Sequence, residues 1–349
     1  MSIAPTGPTE ARARAAAADP LARPIVFFGA PRSGTSILSD AVMRHPDIAF
    51  PSQYAALFPR LVRLNHARPL LDNGRWRVIG TKDQLNATRW YNRYVFRPGE
   101  CYPLWSMLAG ERFATDFLLG RRASAAERAR IRSYFEALVR HQRRTRLAIK
   151  LTGPSRLEFL SGVFPDALYV RIRRRPLPTV RSLLRVGFWR NRQRPIHWTG
   201  AYDEREIALM ERADTDPALV TALQVRRIEE VADAECARLG VDVLEVRYED
   251  FVEAPARTVS LIAERAGLAP SPAILDFGGA FAVHRRGDDA ERDFSEDGLA
   301  LLRRVLDGWA DERADERERE RANGSADAFI LASGSPTRTA PPTRRGSAP

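Results

Sequence analysis

Residues 25–42, IVFFGAPRSGTSILSDAV, constrain this chain more than any other segment. Four apolar residues suited to a buried strand run into Gly29. A turn carrying Pro31 and Gly34 follows, and a helix opens at Thr35 or Ser36. Such a junction converges several backbone N–H groups on one point and adds the partial positive charge of a helix N-terminus, while hydroxyls supply further donors, so a phosphate group suits it. Gly29 and Gly34 have the spacing of the nucleoside-triphosphate loop GxxxxGK[ST], but Thr35 stands where that loop has its lysine. The cation here is Arg32, inside the turn. Taken alone, the segment also reads as a plain strand-turn-helix with Ser and Thr as caps.

The same alternation continues along the chain. Short apolar runs at 25–29, 147–150, 168–172 and 243–248 are each followed by an amphipathic stretch, the pattern of an α/β fold with a central parallel sheet flanked by helices. Ser124 followed by Glu127 forms a capping box for a helix running to Arg143, and Gly240 and Gly267 stand at helix C-termini. Residues 1–23 and 323–349 lack apolar periodicity and read as disordered ends, leaving one domain over 24–322. Within it, about 52–122 is less regular and rich in Trp, Tyr and Arg, as expected of loops and short helices beside a site.

Composition excludes several classes. With 349 residues and 44% hydrophobic content the chain can bury a full core, and two cysteines, Cys101 and Cys236, cannot build a disulfide framework. No apolar run approaches the roughly 20 residues that span a bilayer, and no secretory leader is evident, so the expected location is cytoplasmic. The formal charge is +11, but arginines alternate with acids along helices, which argues for solvated faces rather than a nucleic-acid arm.

A second segment matches the first in order and separation. In LYVRIRRRPLPTVRSLLRV, Arg174 ends a strand and Ser182 follows eight residues later on a helix, a spacing that brings a guanidinium and a hydroxyl to one phosphate. With Pro31, Arg32, Ser33, Gly34, Thr35, Ser36 and Leu38, these residues make the chain resemble the sulfotransferases that use 3′-phosphoadenosine-5′-phosphosulfate (PAPS). The segment VLEVRYEDFVEAPARTVSLIAERAGL resembles a later, mainly architectural part of that family, including Tyr248, Glu249 and Asp250. The resemblance spans roughly 24–290 and implies a P-loop-NTPase-like three-layer architecture. It further implies a 5′-phosphosulfate on the loop and a 3′-phosphate held by Arg174 and Ser182. Arg173 or Arg175 stands as a substitute for Arg174, since Arg174-Arg175-Pro176 replaces the family's Arg-Asp-Pro. A late basic loop of the family is matched in part by Arg285, Arg286 and Gly287, with Arg286 the candidate cofactor contact.

The implied reaction is sulfuryl transfer to a hydroxyl or amine of a small-molecule, glycan or lipid acceptor, with no metal. Arg32 would neutralise the leaving phosphate, and Lys150 aligns with a family lysine near the sulfuryl group. The two family positions for a catalytic base hold Thr152 and Gln53, neither of them a base, so restoring a carboxylate by Gln53→Glu is expected to aid transfer. His197, in a Trp-flanked loop after the second motif, is the candidate base on pKa grounds, with Asp83 a second. A nucleotide-dependent small-molecule kinase, which would need Mg²⁺ and a lysine at position 35, and a catalytically silent relative are the alternative readings.

Overall fold

Five apolar runs become the strands of one sheet: β1 (Ile25–Phe28), β2 (Ile48–Ala49), β3 (Arg146–Lys150), β4 (Leu168–Arg173) and β5 (Val243–Arg247). All neighbours pair in parallel, in the order β2-β3-β1-β4-β5. The computed structural model describes residues 19–73, 95–191, 194–279 and 290–306, all within one unit, Met1–Gly308. Asp83, Arg285, Arg286, Gly287 and the expected tail at 323–349 lie outside the described residues.

Alternate side chains of a strand point to opposite faces, and here both faces are apolar, which is why the strands read as continuous hydrophobic runs. Val26, Phe28, Leu147, Ile149 and Tyr169 enter one core; Ile25, Phe27, Ala148, Leu168, Val170 and Ile172 enter the other. The helices are α1 (Thr35–Val42), α2 (Tyr102–Ala109), α3 (Ala125–His141), α4 (Leu157–Val163), α5 (Pro176–Leu184), α6 (Pro217–Leu239), α7 (Tyr248–Glu253) and α8 (Pro255–Arg265), with shorter ones between. Residues of α2, α3, α4 and α6 fill the first core, among them Trp105, Phe135, Leu160 and Ala232. Residues of α1, α7 and α8 fill the second, among them Leu38, Phe251 and Ile262. Each fully buried side chain of this size contributes about 1.5–3 kcal/mol. The result is a three-layer α/β/α fold.

Local chemistry sets the helix ends. Ser124 Oγ accepts from the Glu127 amide while the Glu127 carboxylate accepts from the Ser124 amide, the reciprocal box expected from the sequence. That helix stops at His141, two residues short of the expected Arg143, because Arg143 turns to φ 51°. Asp216 caps α6 by accepting from Ala218 N, and Gly240, at φ 60°, closes it. Leu21 is fully buried and the Arg23 amide donates to Asp166, so packing begins ahead of residue 24.

β1 lies centrally, with β3 on one side and β4 on the other, so connections leave it in opposite directions. In open parallel sheets the crevice at the carboxyl ends of such strands is the binding position. Three segments meet there: the loop after β1, residues 151–153 after β3, and Arg174 after β4.

Candidate functional site

The loop 29–34 is built around two glycines. Gly29 has φ 155°, and a Cβ there would lie 2.3 Å from the Ile172 carbonyl oxygen of β4. Gly34 has φ 97°, and its Cβ would lie 2.3 Å from Cδ2 of Tyr248. Side chains are thereby excluded on both sides of the turn, which leaves backbone exposed to a ligand. The Ser33 amide closes the turn onto Ala30 O at 3.1 Å, and Ser33 Oγ and Thr35 Oγ1 share a hydrogen bond at 2.9 Å. No side chain caps α1 at Gly34, and while the Ile37 amide donates to Gly34 O, those of Thr35 and Ser36 have no intrahelical acceptor and stand at the loop.

Arg32 is exposed at φ 70°, a left-handed conformation that costs a non-glycine residue roughly 1–2 kcal/mol. Its Nε donates to Ser182 Oγ at 3.0 Å, and Arg174 Nη1 donates to the Arg32 carbonyl at 3.0 Å. The two motifs thus form one cluster, with two guanidiniums at the mouth of the loop. The Arg174 guanidinium also stacks over the Tyr248 ring, 4.6 Å from its centroid. Burial holds Arg174 below the ordinary arginine pKa, and the neighbouring charges of Arg32 and Arg175 act in the same direction against Tyr248 and Glu249, so an arriving anion would relieve it. Arg173 and Arg175 are engaged elsewhere. Arg173 turns to the opposite face and pairs with Glu229, Asp233 and Glu245, as buried Arg171 does, while Arg175 pairs with Glu249.

Tyr248 is therefore more than architectural: it backs the loop and carries Arg174. Its signal in the sequence was its place directly after β5. Lys150, at the end of β3, is fully buried. Its Nζ donates to Ser36 Oγ at 3.4 Å and lies 3.7 Å from Asp40 Oδ1, so it sits beneath the start of α1 rather than on the surface. Pro31 is buried at the same turn.

Residues 151–153, after β3, adjoin the loop and are bonded in turn to residues 100–102. The Gly153 amide donates to Gly29 O at 3.0 Å, which fixes Thr152 beside the loop. Thr152 Oγ1 donates to Glu100 Oε2 at 2.9 Å, and the buried Tyr102 hydroxyl donates to Thr152 O. Burial pushes the Tyr102 phenol up to about 12, so it stays protonated. Gln53 is engaged by backbone: its Nε2 donates to Val95 O and its Oε1 accepts from the Arg97 amide at 2.8 Å.

His197 stacks on Trp189, ring centroids 5.2 Å apart, and packs edge-on to Trp198, whose ring fills the space beside Gly153. Trp105 is fully buried and stacks on Phe113 at 4.5 Å, so it belongs to the core rather than to an acceptor cavity. His66 and His141 stack on each other at 3.9 Å between centroids, and His45 is buried against Ala269 O. Among the described residues no group of three His, Cys, Asp or Glu is arranged to hold a metal ion, and no helix is long and apolar enough to cross a membrane.

Comparison with known proteins gives one family model, described as "Sulfotransferase family", which matches residues 24–272. A search of curated protein sequences gives no significant match. Among solved structures, the chain is similar to sulfotransferase STF9 from Mycobacterium avium, with 18% identity, 85% of this chain and 78% of that chain covered, and a TM-score of 0.53. It is also similar to sulfotransferase STF1 from Mycobacterium tuberculosis H37Rv, with 19% identity, 84% and 78% covered, and a TM-score of 0.48.

Proposed function

Because the chain belongs to the sulfotransferase family, we propose that its donor is PAPS and that it moves the sulfuryl group to a hydroxyl or amine of a small-molecule acceptor. One observation carries this reading: the Arg32–Ser182–Arg174 cluster, which adds a second anion position to the loop at the start of α1. A nucleotide with both a 5′- and a 3′-phosphate matches two positions; an ordinary nucleotide monophosphate matches one.

The residues present fit such a donor. Gly29 and Gly34 open the cradle that a Cβ would fill, the amides of Thr35 and Ser36 and their hydroxyls supply donors, and Arg174 and Ser182 supply the fork and hydroxyl for the remote phosphate. The bound donor supplies an activated sulfuryl group with a phosphate as leaving group. Arg32, with an exposed guanidinium at the mouth of the loop, would stabilise charge that grows on that phosphate, and Lys150 holds Ser36 from below.

Calorimetry with adenosine 3′,5′-bisphosphate (PAP) and with AMP tests the reading. PAP should bind at least about tenfold more tightly, since one charge-assisted hydrogen-bonded contact contributes about 1.5–3 kcal/mol and 1.4 kcal/mol is tenfold. Equal affinities would reduce the cluster to a structural contact.

A further inference from the structure

We propose that Glu100 is the general base that takes the acceptor's proton, an inference that rests on the donor reading above. Thr152 and Gln53 stand at the two positions where the resemblance implies a base, and neither can serve. The fold brings a carboxylate from a third segment to the place between them. Gln53 clamps the backbone of Val95 and Arg97, the Gly99 amide donates to Pro51 O at 3.1 Å, and Ser52 pairs with Pro98 as an antiparallel bridge. Residues 95–99 are thus laid along residues 51–53, and the next residue, Glu100, reaches Thr152 Oγ1 at 2.9 Å.

Position and company favour this role. Thr152 adjoins Gly153, whose amide is bonded to Gly29 O, so the Glu100 carboxylate stands at the edge of the phosphate loop where an acceptor must approach. It is half-buried, partly open to solvent. The other carboxylates near the loop are engaged by cations: Asp40 by Lys150, Glu249 by Arg175, and Asp293 by Arg181 and Arg185. Among the described residues no Lys, Arg or His forms an ion pair with Glu100. The Thr152 hydroxyl orients one oxygen, Oε2, and leaves Oε1 to accept a proton.

The step balances. The acceptor O–H bond breaks and its proton passes to Glu100, the acceptor oxygen forms the new S–O bond, and the S–O bond to the 5′-phosphate breaks, its electron pair leaving with PAP. General-base assistance of this kind contributes about 10²–10⁴-fold.

Glu100→Gln tests it, since the amide oxygen still accepts from Thr152 and the contact to the fold is kept. Single-turnover consumption of PAPS is followed with water as acceptor and with p-nitrophenol at mildly alkaline pH, alongside calorimetry with PAP. The expected result is a loss of about 10²-fold or more with water, a much smaller loss with p-nitrophenol, which is then largely ionised and needs no base, and PAP affinity within about twofold of the parent, as for a group that is not a donor ligand. Added formate should restore part of the activity of Glu100→Ala. Equal losses with both acceptors would make Glu100 a structural residue and overturn the proposal, as would an unchanged rate, or a comparable loss in His197→Ala alone. A parent protein that neither binds PAP nor consumes PAPS overturns the donor reading, and the base with it; a parent that does both isolates failure to Glu100.

Discussion

Arg32 Nε donates to Ser182 Oγ at 3.0 Å, so residues 150 apart in sequence close one hydrogen bond across the mouth of the loop. The proposed second phosphate position rests on the same serine and on Arg174, which donates to the Arg32 carbonyl. Arg174→Ala should therefore weaken PAP by about 10–100-fold, the cost of a charge-assisted contact, and leave AMP within about threefold. Ser182→Ala should show the same selectivity at about tenfold or less, because one neutral hydroxyl is lost. Calorimetry on the four protein–ligand pairs checks both, and parallel losses for PAP and AMP would contradict the assignment.

Arg32 differs from Arg174 in exposure and in strain. Among the described residues its side chain is hydrogen-bonded by Ser182 alone, and its backbone is left-handed. Arg32→Ala should lower the single-turnover rate at saturating PAPS by about 10²-fold, as for loss of one donor to a developing charge, while PAP affinity falls by less. A weaker Kd with an unchanged rate would make Arg32 a uniform binder.

Gln53→Glu is expected from the sequence to restore a base, or at least not to abolish transfer; the contacts of Gln53 with the Val95 and Arg97 backbone motivate a different prediction. A carboxylate at 53 keeps the acceptor for the Arg97 amide but loses the donor to Val95 O and sets an anion against a carbonyl. The cost should be about 1–3 kcal/mol of stability, read as a lowered denaturation midpoint with unchanged slope, and transfer should not improve. Faster turnover in this variant would show that residue 53 reaches the acceptor after all.

The layers and the loop were legible because their signals are local. Strands buried on both faces are unbroken apolar runs, and a phosphate loop needs glycine at fixed places between strand and helix. Glu100 was not legible: it lies in an irregular segment without period, and its meaning depends on Thr152, 52 residues away. Tyr248 was read as architectural because its contact with Gly34 exists only once β5 lies beside β4 in the sheet. Composition cannot tell an aromatic wall from an aromatic core in the Trp- and Tyr-rich region 52–122, and for Trp105 the stack on Phe113 decides it.

Gly34 and Gly29 give a contrasting pair of substitutions. Alanine at 34 meets two penalties: the φ of 97°, which costs a residue with a Cβ on the order of 1–3 kcal/mol, and a 2.3 Å approach to the Tyr248 ring. The second is a side-chain clash, so Gly34→Ala combined with Tyr248→Ala should recover part of the lost stability while the backbone strain persists. Alanine at 29 meets the Ile172 carbonyl oxygen, a backbone atom of β4 that no side-chain change removes. Gly29→Ala should therefore be the more damaging change, and Tyr248→Ala should not rescue it. Thermal denaturation of the parent, the three single variants and the two double variants, with the double-mutant coupling energy, separates the two cases. A coupling near zero between 34 and 248 would mean that the ring moves aside freely, and that Tyr248 does not back the loop.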